Sequence, residues 1–153
     1  MAGLIGRFLA IHHGCIAGAA GYDWDVVATS PSGHGRAGKH PFEEVVELIV
    51  PLRDQFVRLL EAGLTPIEHN QGSDTAFRAT QDVAGARVLL LDDTFTSGAT
   101  IQSAASALQI AGATVVAVVP VARFVKPEFS EQSQAMWDSV AAIGFSFDTC
   151  CLE

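Results

Sequence analysis

The chain has 153 residues, 49% of them hydrophobic and 17% charged, which excludes a disordered or fibrous protein and suits one domain with a real core. Seventeen acidic residues against nine basic ones give a formal net charge of -8, which argues against a general nucleic-acid surface. No apolar run is long enough to span a bilayer; the longest, near residues 115–122, is interrupted by Pro120.

The first residues predict a short helix over 2–13, packed on the domain rather than removed as a leader, because the positive flank and apolar length of a signal peptide are missing. Gly14, Gly18 and Gly21 then interrupt the chain before a strand over 25–29. A loop rich in Pro, Gly and Ser covers 30–41 and carries a basic stretch, His34, Arg36, Lys39 and His40, that stands out in an acidic chain. Phe42, Val45, Val46, Ile49, Leu52, Phe56, Leu59 and Leu60 recur at threes and fours and predict a helix over 42–60, kinked or split at Pro51. A short strand is expected at 64–68. Residues 70–85 read as a long loop or partly ordered hairpin, of a length that compact domains keep for a task such as covering a ligand.

The next elements are the clearest. A central strand over 87–91, a helix over 98–111, a strand over 114–119 and helical periodicity from 129 to 143 follow in turn. Strands alternating with helices, two of the strands nearly all apolar, predict an α/β domain with a mostly parallel sheet flanked by helices. In such sheets ligands sit beyond the carboxyl ends of the strands, and both the acidic pair Asp92-Asp93 and the basic loop fall there.

The site chemistry is concentrated in Leu91-Asp92-Asp93-Thr94-Phe95-Thr96-Ser97-Gly98-Ala99-Thr100. Two carboxylates at a strand end suit the hydroxyls of a sugar, or Mg²⁺ held directly or through water. Successive strand residues point in opposite directions, so the two need not face one partner. Thr96, Ser97 and Thr100 supply hydroxyls, Gly98 permits close backbone approach, and the N–H groups of Gly98, Ala99 and Thr100 are left over at a helix start. Ordinary capping needs one hydroxyl; three with a glycine suit a phosphate. There is no Gly-Lys-Ser/Thr ending, so this is not that nucleotide-binding loop.

The segment resembles the ribose-5-phosphate loop of the type I phosphoribosyltransferases: an apolar strand, two acidic residues, two variable ones, then Thr-Thr/Ser-Gly-x-Thr. The resemblance covers roughly residues 25–121 of one domain, with an N-terminal helix and linker over 1–24 and a C-terminal helix and tail over 122–153. It implies a Rossmann-like fold and Mg²⁺-dependent displacement of pyrophosphate from 5-phosphoribosyl-1-pyrophosphate (PRPP) by a nitrogen nucleophile such as a nucleobase. Asp92 and Asp93 would hold the ribose hydroxyls and the metal, and residues 94–100 (Thr94, Thr96, Ser97, Gly98, Ala99 and Thr100) the 5-phosphate. Ser30, Ser32, Arg36 and Lys39 would take the pyrophosphate, an Arg fork suiting a diphosphate.

The long loop stands where the family carries a hood that closes over PRPP. Asp74, Phe77 and Arg78 are its residues of interest, with Arg78 reaching for pyrophosphate. Position and electrostatics do the work, with no Ser or Cys as covalent nucleophile. The run Arg36-Ala37-Gly38-Lys39-His40-Pro41 is similar to the amidophosphoribosyltransferase-like branch that includes relatives of late-competence protein F. By that likeness a Tyr-Lys element and more helix are expected ahead of residue 1. Thr96 stands where the hypoxanthine/guanine branch has a base-directed aspartate, which turns the expectation away from that activity.

Three cysteines make no disulfide framework and fit a reduced, cytoplasmic protein. The adjacent pairs His12-His13 and Cys150-Cys151 have poor spacing for zinc, so a capped or surface histidine pair and unremarkable cysteines are expected. Trp137, Phe145 and Phe147 are expected to close the core or a homodimer contact. His34, His40 and His69 are further residues that could line the site. The rival function is a non-catalytic protein that uses the same pocket to bind PRPP or a nucleotide in a regulatory or DNA-uptake-associated role.

Overall fold

In the computed structural model, which describes residues 1–32, 39–68, 70–150 and 152, a parallel three-stranded sheet lies between two helical layers. The elements run α1 (Ala2–Ala20), β1 (Val26–Thr29), α2 (Pro41–Glu47), α3 (Val50–Arg53), β2 (Leu60–Ala62), β3 (Phe77–Ala79), β4 (Arg87–Phe95), α4 (Ala99–Ile110), β5 (Thr114–Arg123) and α5 (Glu131–Ala142), with a single 3₁₀ turn at Pro127–Phe129. The sheet order is β1-β4-β5, and β2 pairs antiparallel with β3 in a separate ribbon.

β4 is central because Val88, Leu89, Leu90 and Leu91 are fully buried on both faces, each of these side chains contributing about 1.5–3 kcal/mol of burial. Alternation divides them. Val88 and Leu90 pack with Ile101, Ala104 and Leu108 of α4, whereas Leu89 and Leu91 pack with Ile5, Leu9 and Ile16 of α1 and with Phe42 and Val46 of α2. Pro120 sits in β5, an edge strand of the sheet, where a missing N–H costs no ladder bond.

Several boundaries differ from the sequence reading, each for a physical reason. α1 runs on from residue 13 to Ala20 because its buried stripe Ile5, Leu9, His12 and Ile16 continues past Gly14, and packing outweighs the roughly 1 kcal/mol a helical glycine costs. The expected helix over 42–60 ends at Glu47; Pro51 opens a separate turn, and residues 55–57 instead join the sheet edge. There Val27 N–H donates to Gln55 O and Val57 N–H to Val27 O.

The strand expected at 64–68 lies earlier, at β2, and its partner β3 falls inside the stretch read as a loop. β4 and β5 each extend four residues beyond the sequence reading, since their ladder continues through Asp92↔Pro120 to Phe95↔Arg123. The last helix starts at Glu131, capped by Ser130, with the 3₁₀ turn ahead of it.

Candidate active site

The register of β1 against β4 builds the site. Ala28 pairs with Leu90, so two residues on, Ser30 comes beside Asp92 at the carboxyl ends of both strands. Ser30 N–H donates to Leu91 O at 3.1 Å, and the Ser30 hydroxyl donates to Asp92 Oδ1. Asp92 follows Val88 and Leu90 on the α4 face; Asp93 follows Leu89 and Leu91 to the other. Asp92 is only 7% exposed, and Asp93 is half-buried. Burial pushes the Asp92 carboxyl above the ordinary carboxylate value, the Ser30 hydrogen bond pulls it back, and the Asp93 charge pushes it up again.

Beyond Asp92 the chain turns into α4 around a small cavity of about 50 Å³ lined by Asp92, Thr94, Phe95, Thr96, Ser97, Gly98, Ala99, Thr100 and Ile101. That is room for one small group, given the roughly 30 Å³ a water occupies in the liquid. Gly98 caps the helix at φ 83°, and a Cβ there would meet the Phe95 ring at 2.8 Å. Ala99 N–H points at Ser97 Oγ, 3.4 Å away, and the first-turn N–H groups of Thr100 and Ile101 face no intrahelical acceptor. A tetrahedral anion fits this lining of N–H and hydroxyl donors.

A second cavity of about 330 Å³ shares Thr96 and Ser97 with the first and adds Asn70, Arg123, Phe124, Lys126, Phe129 and Met136. Arg123 lies over the Phe95 ring at 5.4 Å, and Phe124 N–H donates to Phe95 O at 2.9 Å, so the end of β5 and the loop leading into α4 form one floor. Sequence reasoning missed these residues. Their signal was present: two cations and two aromatics clustered within residues 123–129, directly after a predicted strand.

Other sequence-predicted residues stand elsewhere. Ser30 supports Asp92 instead of standing free for a diphosphate. Lys39 forms an ion pair with Glu47 of α2, and Ser32 lies half-buried just past β1. Arg36 and His34 fall outside the described residues, as does His69. His40 caps α2, its Nδ1 accepting from Phe42 N–H at 3.2 Å. Arg78 pairs with Glu61 across the β2–β3 ribbon at 2.9 Å, and Phe77 belongs to the core. Asp74 accepts from Ser106 Oγ at 2.6 Å, which ties the expected hood to α4.

Asp92 is the one carboxylate of this cavity, and Mg²⁺ is commonly bound through one or two carboxylates plus substrate oxygens. Because Asp92 and Asp93 lie on opposite faces, Asp92 alone of the pair lines the small cavity.

The family model for the phosphoribosyl transferase domain matches residues 46–153, from the end of α2 through the loop into α4 to the tail. The chain belongs to this family. Members transfer a phosphoribosyl group from PRPP with release of pyrophosphate, and the α/β fold with its parallel sheet is the family's fold. Among solved structures the chain is similar to UMP synthase of Leishmania donovani at 16% identity and a TM-score of 0.40, over 91% of this chain and 32% of that one. The phosphoribosyltransferase chain thus spans about a third of that protein's length. No curated protein matches it.

Proposed function

We propose that this phosphoribosyltransferase is a Mg²⁺-dependent enzyme that displaces pyrophosphate from PRPP with a nitrogen nucleophile, a nucleobase being the acceptor class. The observation that carries the reading is the junction of the Ser30-supported Asp92 carboxylate with the hydroxyl-lined cavity at the start of α4. The 5-phosphate occupies that cavity, held by the hydroxyls of Thr96, Ser97 and Thr100 and the N–H groups of the first turn. The ribose hydroxyls then lie against Asp92, which Ser30 keeps in one orientation.

Asp92 would hold Mg²⁺ together with substrate oxygens, and the ion would supply charge to offset that on the departing pyrophosphate, while Asp93, on the other face of β4, would act on it only through water. Arg36 and Lys39 meet that same charge, Lys39 after leaving Glu47. Arg78 joins them if the β2–β3 ribbon closes. The planar acceptor takes the 330 Å³ cavity, stacked against Phe124 or Phe129 with Lys126 at its polar edge. No covalent intermediate on the chain is required. The likeness of residues 36–41 supports assignment to the amidophosphoribosyltransferase-like branch. A homodimer in the cytoplasm completes the proposal. Among the described residues no helix is long and apolar enough to cross a membrane.

The test is pyrophosphate release from PRPP and Mg²⁺ across a panel of nucleobases and ammonia, with PRPP binding followed by calorimetry on the same sample. Release that depends on one acceptor establishes the enzyme and names its substrate. Tight PRPP binding with no release on any acceptor replaces it with a binding protein, and no binding removes the site assignment.

A further inference from the structure

Far from the phosphate loop, three soft ligands converge. On α1, His12 and Cys15 stand three residues apart on one face, and the tail brings Cys150 to them from 135 residues away in the chain. A ring nitrogen of His12, Cys15 Sγ and Cys150 Sγ all lie within 4.8 Å of one another, with His12 Nδ1 to Cys15 Sγ at 3.9 Å. A tetrahedral zinc site has ligand–ligand edges of roughly 3.6–3.8 Å, given Zn–S near 2.3 Å and Zn–N near 2.0–2.1 Å. The cluster therefore needs a contraction of about 1 Å or less to close on an ion.

The surroundings are those of a metal-bound imidazole. His12 is buried at 4% exposure, contrary to the expectation of a surface pair. Its Nε2–H donates to Phe147 O at 2.7 Å, which leaves the Nδ1 lone pair on the side of Cys15 Sγ. Ligating histidines are held in this way, the far ring nitrogen donating to a backbone carbonyl. The tail is seated independently of any ion: the Arg7 guanidinium lies over the Phe147 ring at 4.4 Å, and Phe145 meets Phe147 edge-on at 4.9 Å. His13 is excluded, since both oxygens of Asp23 engage its Nε2 at 2.8 Å.

We propose that His12, Cys15 and Cys150 form a Zn²⁺ site that fastens the C-terminal tail to α1. Two thiolates and an imidazole select a borderline-soft ion over Mg²⁺. On binding, the Cys15 and Cys150 thiol protons pass to solvent and two Zn–S bonds form. The site serves to hold the tail along the α1–β5 groove, where Leu152 joins Phe8, Ile16 and Val118 in the lining. It neither uses nor requires the PRPP site.

The experiment is titration of the reduced, metal-stripped full chain with Co²⁺ and Zn²⁺ under anaerobic conditions. One tightly held ion per chain is expected, with thiolate-to-cobalt charge-transfer bands, intense tetrahedral d–d bands, and slower amide exchange over residues 143–150. Cys150→Ser, at a half-buried tail position, is expected to weaken Co²⁺ binding by more than about 100-fold, beyond what loss of an outer-shell partner costs. Cys15→Ser is expected to abolish the thiolate bands.

A cobalt spectrum without thiolate bands overturns the site, as does binding undiminished in both variants. A Cys15–Cys150 disulfide in the isolated chain, with no ion taken up after reduction, does the same. The wild-type titration decides the matter even if a variant folds poorly.

Discussion

Asp92 is a buried carboxylate whose protein partner is a neutral hydroxyl, an arrangement that costs stability until a ligand completes it. Its carboxyl is raised above the unfolded value of 3.8, so between the two values the folded chain binds the extra proton and stability falls as pH rises. Asp92→Asn is therefore expected to raise the ligand-free Tm at pH 7 by about 2–4 °C and to flatten the fall in stability with rising pH through that window, read by calorimetry at several pH values. The same variant is expected to lose PRPP binding. A lowered Tm would show that the carboxylate is already compensated without ligand. Gly98→Ala carries the opposite risk: φ 83° and the Phe95 ring at 2.8 Å give an expected loss of about 1–3 kcal/mol in urea unfolding, together with loss of phosphate affinity. Asp92, Asp93 and the loop to Thr100 were legible because strand, carboxylates and hydroxyls are contiguous. The Ser30–Asp92 contact was not, since it depends on the register of strands 62 residues apart in sequence.

At the scale of elements, the segment between β2 and β3 is held on α4 by two side-chain hydrogen bonds. Buried Ser103 Oγ accepts from Ser73 N–H at 2.9 Å while donating to Ala99 O, and Ser106 Oγ donates to Asp74. This makes α4 both the helix whose first turn lines the small cavity and the anchor of the segment between β2 and β3. Ser103→Ala leaves a backbone N–H unpaired and is expected to cost about 1–3 kcal/mol. Faster amide exchange is expected over residues 63–76 and not in β4, measured by mass spectrometry; uniform acceleration would mean the anchor is global. This anchoring also explains where sequence reasoning stopped. Strong 3.6-residue periodicity located α4 within one residue at each end, whereas residues 55–85 are held by long-range pairing, β2 to β3 and Val27 to Phe56, that no local period announces. The helix pattern at residues 42–60 marks burial correctly, with Phe42, Val46, Leu52, Leu59 and Leu60 all in the core, but the backbone changes state beneath it.

Across the whole molecule, apolar surface is distributed unevenly. The two faces of β4 are closed by α1, α2 and α4, yet α5 has no buried residue, and Phe124, Phe129, Trp137, Val140, Ile143 and Phe145 are all at least half exposed. Exposed apolar clusters of this kind mark interaction surfaces. Of the two expectations for Trp137 and Phe145, closing the core or a dimer contact, this exposure removes the first, while Phe147 is engaged with Arg7 on α1. A second copy is the partner that fits the proposed homodimer, because the same segment lines the proposed acceptor cavity through Phe124, Phe129 and Met136, and its burial would shield a bound base from water. The chain is expected to sediment as a dimer at micromolar concentration. Trp137→Glu with Phe145→Glu is expected to sediment as a folded monomer with a raised KM for the acceptor and an unchanged PRPP affinity. The contrast between the two ligands decides the argument: if PRPP affinity falls in parallel, the α5 face supports the whole site, and if neither changes while the dimer dissociates, association and acceptor binding are separate properties of this surface.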